Sequence, residues 1–191
     1  MSFSKLVLSS FLIMTISCGC GPKPDIYTRP QTSFEPFKTL AILPFNNYSG
    51  KEDAGKQVSN AFLVELLKKP YFRIIEPGEV DRVLREERIR SSDQIDGGTA
   101  SLLREKLGAD LLLIGAVNEY DYFKVGERDI PLIGFSARIL DTSTGMIVWA
   151  AYHSRKGDDR ELIFNWGLVT SLTQLTRQGV HDVAKRLKSM K

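Results

Sequence analysis

Gly50-Lys-Glu-Asp-Ala-Gly-Lys56-Gln57 has most of the spacing of a phosphate-binding loop, and it lies between an apolar run and a helical pattern. In that context Lys56 would stand beside the phosphates of a nucleotide. The parts that do the chemistry are missing. Gln57 replaces the hydroxyl that holds magnesium, Glu52 and Asp53 put negative charge where phosphates should sit, and the apolar strand near Leu111 ends without a metal-binding acid. His153 has Ser154, Asp158 and Asp159 nearby, the residue types of a hydrolase. A nucleophile also needs a positioned base and an orienting group, and no Gly-x-Ser-x-Gly elbow is present. His153 and His181 therefore read as surface histidines. Asp158-Asp159-Arg160-Glu161 lacks the alternating oxygen spacing of a calcium loop and reads as a charged helix start. No catalytic residue, cofactor or metal site is expected.

The residues with the most definite chemistry are cysteines. Lys5 precedes an uncharged run from Leu6 to Ser17, too short to span a bilayer, as in a secretory signal. Met14-Thr-Ile-Ser-Cys18 then looks like a bacterial lipobox, with the small Ser17 just before the cysteine. Cys18 is the expected acylated residue and Cys20 the alternative. Two or more acyl chains give stable attachment, at about 0.8 kcal/mol per buried methylene. The residue after either cysteine is glycine and not aspartate, which by resemblance to enterobacterial sorting rules points to the outer membrane, facing the periplasm. The expected organisation is a signal peptide over 1–17, a lipidated cysteine and flexible tether over 18–38, and one periplasmic domain over 39–191. Gly21 to Lys38 holds four of the eight prolines and no apolar period, and it would reach roughly 60 Å if fully extended.

The body must then supply a framework. Thr39 to Phe45 is a buried first strand, closed by Pro44 and a polar loop. Val58, Ala61, Phe62, Leu66 and Lys69 follow helical spacing up to Pro70, and Phe72 to Ile75 is a second strand. Pro77 can open a helix carrying Val80, Val83 and Leu84, with charged residues on its wet side. Ser91 to Gly98 is a polar loop, and Ala100, Leu103 and Leu107 line a third helix that stops at Gly108. Ala109 to Val117 is a continuous apolar run suited to a strand covered on both faces. Leu132 to Leu140 and Met146 to Tyr152 flank Asp141 to Gly145 as a hairpin. Alternation places Ile133, Phe135, Ala137 and Ile139 on one face, with Ile147, Trp149 and Ala151 on one face of the partner. Leu168 to Leu187 is an amphipathic helix that can break at Gly179. The order β-α-β-α-α-β-β-β-α predicts an α/β protein, a three-layer-like sandwich whose mixed sheet ends in an antiparallel meander.

With 191 residues, 42% hydrophobic and 26% charged, the chain fits one globular domain beyond its leader. A formal net charge of +3, or +2 once Lys5 is removed, leaves no electrostatic footprint for nucleic acid. Two cysteines, both near the amino terminus, exclude a disulfide scaffold in the body.

Four blocks carry a resemblance: Leu43-Pro-Phe45 with Asn47 and Gly50, Phe72 to Leu84, Leu107 to Gly115, and Leu140 to Trp149. In this order, over about 110 residues, they resemble the curli-secretion lipoprotein superfamily. That group includes CsgG-like export lipoproteins and LpoB-like activators of penicillin-binding proteins. The resemblance implies a compact periplasmic domain, anticodon-binding-domain-like or TolB N-terminal-like, used for binding and assembly. It implies membrane attachment through the amino-terminal lipid, a protein partner in the cell envelope and an ability to form homo-oligomers.

The expected function is that of a non-enzymatic accessory or assembly factor in a secretion or surface-assembly complex. Activation of a peptidoglycan synthase is the alternative, and a nucleotide-binding enzyme using Gly50 to Gln57 is the remote one. The pore-forming branch needs membrane hairpins with an alternating apolar row. Here the only spare segment, Asn118 to Asp129, is rich in charge, so this chain is expected not to form the pore. Trp149 is expected in the core, Trp166 and Phe164 add to the aromatic count, and Tyr120, Tyr122 and Phe123 are the candidate partner contacts.

Overall fold

The computed structural model describes residues 21–32, 34, 38–161 and 165–187. A seven-stranded mixed sheet carries helices on both faces, the α/β architecture expected. In chain order its elements are β1 (Asp25–Thr28), β2 (Lys38–Ile42), β3 (Asn46–Asn47), α1 (Ala54–Leu67), β4 (Phe72–Ile74), α2 (Pro77–Glu86) and a 3-10 turn (Ser92–Gln94). They continue with α3 (Gly97–Leu107), β5 (Leu111–Val125), β6 (Arg128–Asp141), β7 (Ile147–Lys156) and α4 (Leu172–Ala184). The sheet runs β1-β7-β6-β5-β2-β4, with β3 also on β5. β2 is parallel to β4 and β5, while β5, β6, β7 and β1 form the antiparallel part.

The continuous apolar runs are buried on both sides, as strands between two helical layers must be. Leu40, Ile42, Leu111 and Leu113 face α1 and α4, while Ala41, Leu43, Leu112 and Ile114 face α2 and α3. Local chemistry sets the helix ends. Pro77 stands in the first turn of α2, where the Glu76 side chain accepts from Glu79 N at 3.0 Å. Asp96 caps α3 by accepting from Thr99 N at 2.7 Å, and Gly108 ends it at φ +66°. In the β6–β7 turn the Asp141 carboxylate accepts from the backbone N–H groups of Ser143 and Thr144, and Gly145 takes φ +68°.

Four differences from the sequence expectations have physical causes. First, the segment read as a tether is partly built into the sheet. Asp25 to Thr28 pair antiparallel with Tyr152 to Trp149, and Phe34 is buried against Tyr71 and Phe72. Second, β5 continues to Val125 instead of ending at Val117. A register shift between Val117 and Glu119 resets the alternation, so Glu119 points out and Tyr120 points into the core. Third, a shift beside Leu140 pairs it with Ile147, leaving Ile147 exposed while Trp149 and Ala151 are buried. Fourth, α4 starts at Leu172 and runs unbroken through Gly179. A Cβ there would sit 2.7 Å from Ile133 Cδ1, so the glycine lets α4 close on the sheet.

Candidate functional site

The residues expected to carry the lipid, Cys18 and Cys20, lie outside the described residues, as does Phe164. The loop with phosphate-binding spacing has a packing role. A Cβ on Gly55 would fall 2.4 Å from the Phe45 carbonyl oxygen, so α1 needs a glycine to pass that strand end. Asn47 Nδ2 donates to the Lys51 carbonyl at 2.6 Å, and Lys51 pairs with Asp121 at 3.0 Å. Lys56 borders a shallow cavity with Pro44, Ser59 and Asp81.

The three aromatic candidates part company. Tyr120 is buried, with its hydroxyl 3.4 Å from that of Thr176, so it is core and is withdrawn from the partner contacts. Tyr122 is exposed, its hydroxyl accepting from Leu172 N at 3.3 Å, and Phe123 is half-buried under the Lys156 ammonium. Trp149 is core as expected, whereas Trp166 is 75% exposed.

The largest departure concerns His153, which is fully buried and not a surface histidine. Its ring packs edge-on to Phe135 and lies under Gly179, and neither ring nitrogen has a hydrogen-bond partner among the described residues. Burial holds its pKa below the ordinary histidine value; Asp182 and Asp159 pull upward, Arg155 and Arg160 downward. His181, by contrast, is at the surface, with Nδ1 3.0 Å from Glu65 Oε2.

Beside His153 a buried ionic cluster joins β7 to α4. Asp182 Oδ2 accepts from Arg155 at 3.3 Å and from Arg160 at 2.8 Å, and Oδ1 accepts from Lys185 at 2.6 Å. Burial pushes the Asp182 carboxyl up, but Lys185, Arg160 and Arg155 outweigh it and keep it below the usual carboxylate range. Burial also pulls Arg155 down, and its Nε has no partner among the described residues. The signal was present in the sequence. The alternation that turns Trp149 and Ala151 inward, continued two steps, also turns His153 and Arg155 inward.

Arg160 belongs to this cluster, and Asp158 to Arg160 lie in a turn, with residues 162–164 that follow outside the described residues. Asp159 Oδ2 accepts from Lys156 N at 2.7 Å, and Glu161 pairs with Arg128 at 2.7 Å. Outside the cluster, a cavity of about 610 Å³ is lined by Arg160, Arg177, Gln174, Gln178, His181 and Glu65 together with Asp182. No group of three or more potential metal-ligating His, Cys, Asp or Glu side chains occurs among the described residues, and no helix there is long and apolar enough to cross a membrane.

The model of the family described as curli production assembly/transport component CsgG matches residues 31–136, more than half of the chain. The chain belongs to the CsgG family. The matched span runs from just after β1 into β6 and includes both layers of helices up to α3. Among solved structures, this CsgG-family fold is similar to the PelC dodecamer from Paraburkholderia phytofirmans, at TM-score 0.61 and 20% identity, covering 88% of this chain and 99% of that one. It is also similar to lipoprotein GNA1162 from Neisseria meningitidis, at TM-score 0.57 and 16% identity, covering 78% and 99%. These likenesses show a shared fold. A search of curated proteins returns no match.

Proposed function

We propose that this CsgG-family chain is a non-enzymatic accessory or assembly lipoprotein of the cell envelope, anchored to the outer membrane through Cys18 and facing the periplasm. Cys20 is the alternative anchor. It serves a secretion or surface-assembly complex and works as a homo-oligomer with a protein partner. The observation that carries this reading is the family match over residues 31–136. The fold shared with a protein that crystallised as a dodecamer supports the oligomer. The buried side chains that resemble catalytic equipment have structural employment: His153 is sealed in the core, and Asp182 is engaged by three cations.

The docked β1 strand favours a partner close to the anchoring membrane over one across the periplasm. Chain from Cys18 to Asp25 spans roughly 25 Å at most, less than half the reach of an unpaired tether to Lys38. A short tether raises the effective concentration of the domain for neighbours on the same membrane and excludes distant ones. This weighs against activation of a peptidoglycan synthase.

The β5–β6 hairpin also bears on the pore question. Lys124, Glu127, Arg128 and Asp129 are exposed around its tip, and Asp121 and Arg128 are held in ion pairs. Such a strand end is costly to place in hydrocarbon, so this chain lies beside the membrane and does not form the pore. Stable, defined channels from the pure protein in a lipid-bilayer conductance assay would overturn that part.

The test of the whole reading is crosslinking in the native envelope, comparing wild type with Cys18→Ser and identifying the captured species by mass spectrometry. A defined export or surface-assembly complex, captured with the lipid and lost without it, is the expected result. Capture of a peptidoglycan synthase instead would refute the assignment.

A further inference from the structure

We infer that the cavity between α1, α4 and the β7–α4 connection binds the phosphate of an anionic phospholipid headgroup, in the same leaflet that holds the acyl chains. This rests on the proposed anchoring. The first ground is position. A Cβ placed on Gly21 would lie 2.8 Å from both Cγ and Nε of Arg160, so the chain at Gly21 passes directly over that side chain. Cys18 is three residues earlier, a span of at most about 10 Å. The attachment point is therefore within about 10 Å of Gly21, and the Arg160 surface is held at headgroup depth.

The second ground is charge. Among the described residues, Asp182 is the one carboxylate within 4.0 Å of Arg155, Arg160 and Lys185. Arg177, which lines the cavity with Arg160, has no carboxylate within 4.0 Å among the described residues. Of the other acids nearby, Glu65 pairs with Lys68 and contacts His181, and Glu161 pairs with Arg128, while Asp159 accepts only from Lys156 N among the described residues and keeps its charge. The lining holds two arginines and two carboxylates, but Arg155, Lys185 and Lys68, which pair with those carboxylates, make the cations of this region outnumber Asp182, Glu65, Asp158 and Asp159. Arg177 is the lining cation without an ion pair among the described residues. A planar guanidinium matches two phosphate oxygens at once.

The third ground is the arrangement of donors. Gln174, Arg177, Gln178 and His181 recur at three- and four-residue spacing, so they line one side of α4 and point at the same space. With the chain anchored at one point, a second contact close by does little for retention, since two or three acyl chains already secure it. What it adds is orientation. It stops the domain from swivelling about its tether and fixes which faces are turned to the membrane and to the periplasm.

The test uses the full mature chain with Cys18→Ser and Cys20→Ser, so that no acyl chain contributes. Binding is measured to phosphatidylcholine vesicles with and without phosphatidylglycerol, at low and high salt, and by titration with inorganic phosphate. The expected result is phosphatidylglycerol-dependent, salt-sensitive binding, weakened about fivefold by Arg177→Gln and about 25-fold by Arg160→Gln with Arg177→Gln. Arg82→Gln with Arg85→Gln, on α2, should leave it unchanged. Thermal melts check folding, and Arg177→Gln alone keeps the test valid if loss of the Arg160 pair unfolds the protein. Equal affinity for both vesicles, or insensitivity to the arginine changes, would overturn the inference. So would arginine-dependent binding of inorganic phosphate without vesicle binding, which would assign the cavity to a soluble anion. The anchoring reading is tested separately, by the mass of the acylated amino terminus, so the two can fail independently.

Discussion

The two faces of the sheet solve the same burial problem with different chemistry. Under α2 and α3, Ala41, Leu43, Leu112, Ile114 and Leu140 meet Val80, Val83, Leu84, Ala100 and Leu103, and the buried polar residues beside them, Ser92 and Thr142, carry neutral hydroxyls. Under α1 and α4 the apolar mass is larger, with Phe62, Phe135 and Trp149, yet the same layer encloses His153, Arg155 and Asp182. Non-directional burial suffices for the first face. The second must offset the desolvation of ions by multiple pairing at close range, and there the buried groups themselves respond to salt and proton concentration.

Removing the centre of the cluster should give the largest effect. Asp182→Ala leaves Arg155 buried without its counterion, and breaking a buried pair in this way costs about 3–5 kcal/mol. The low end of that range is expected, because Arg160 and Lys185 are about half-exposed and regain water. Leu103→Ala, on the other face, should cost about 3 kcal/mol through a cavity. Urea denaturation in low and high salt separates the mechanisms. The Asp182 loss should shrink as salt screens the freed cations, and the Leu103 loss should not. An Asp182→Ala protein as stable as wild type at every salt concentration would mean that the cluster is ornamental.

The same contrast governs what the sequence could disclose. The α2/α3 face was legible because each local signal agreed with the global packing. Pro77 sits where a helix can begin, Gly108 where one must end, and the run from Leu111 to Ile114 is apolar because both its sides are covered. The other face depends on long-range accidents of register. Asp25 to Thr28 acquire strand character only by pairing with residues more than a hundred positions away, so prolines nearby suggested a tether. Tyr120 looked like a surface aromatic because one bulged residue reverses the alternation around it. His153 and Arg155 were hidden by their polarity: the strand pattern pointed them inward, but residue type argued for the surface. The Asp182 counterion from α4, with Asp159 nearby, accounts for the burial of Arg155.

Acid should expose the second face next. The folded pKa of His153 lies below its unfolded value, so above about pH 7 both states are neutral and the group is silent. As pH falls below about 6.5 the unfolded chain takes up a proton that the folded protein refuses. Stability then declines at up to about 1.4 kcal/mol per pH unit until the folded pKa is passed. The Asp182 carboxyl, also held low, adds a second loss only at more acid pH, below the ordinary carboxylate value. His153→Phe should flatten the window between pH 7 and 5 while costing little at neutral pH, because no hydrogen bond of His153 is lost among the described residues. An unchanged pH profile in this variant would assign the acid sensitivity elsewhere.

Gly179→Ala sets the finest of these differences, because two effects of similar size oppose each other at one position. In an exposed helix the substitution would stabilise by about 1 kcal/mol through backbone entropy. Here the new methyl would meet Ile133 Cδ1 at 2.7 Å, His153 Cδ2 at 3.3 Å and Phe135 Cε1 at 3.5 Å. The first of these is the free end of a flexible side chain and can rotate away. The other two belong to rings packed edge-on, and the His153 contact is tighter than van der Waals distance, so the strain that the rings cannot relieve passes to α4. Overpacking of this kind costs about 1–3 kcal/mol, so the net change should be destabilising by about 1 kcal/mol. The movement should also lengthen the Arg155 to Asp182 contact, which is already 3.3 Å. Gly179→Ala and Asp182→Ala should consequently be less than additive in a double-mutant cycle. Strict additivity would mean that α4 docks on apolar contact alone and that the ionic cluster merely tolerates its position.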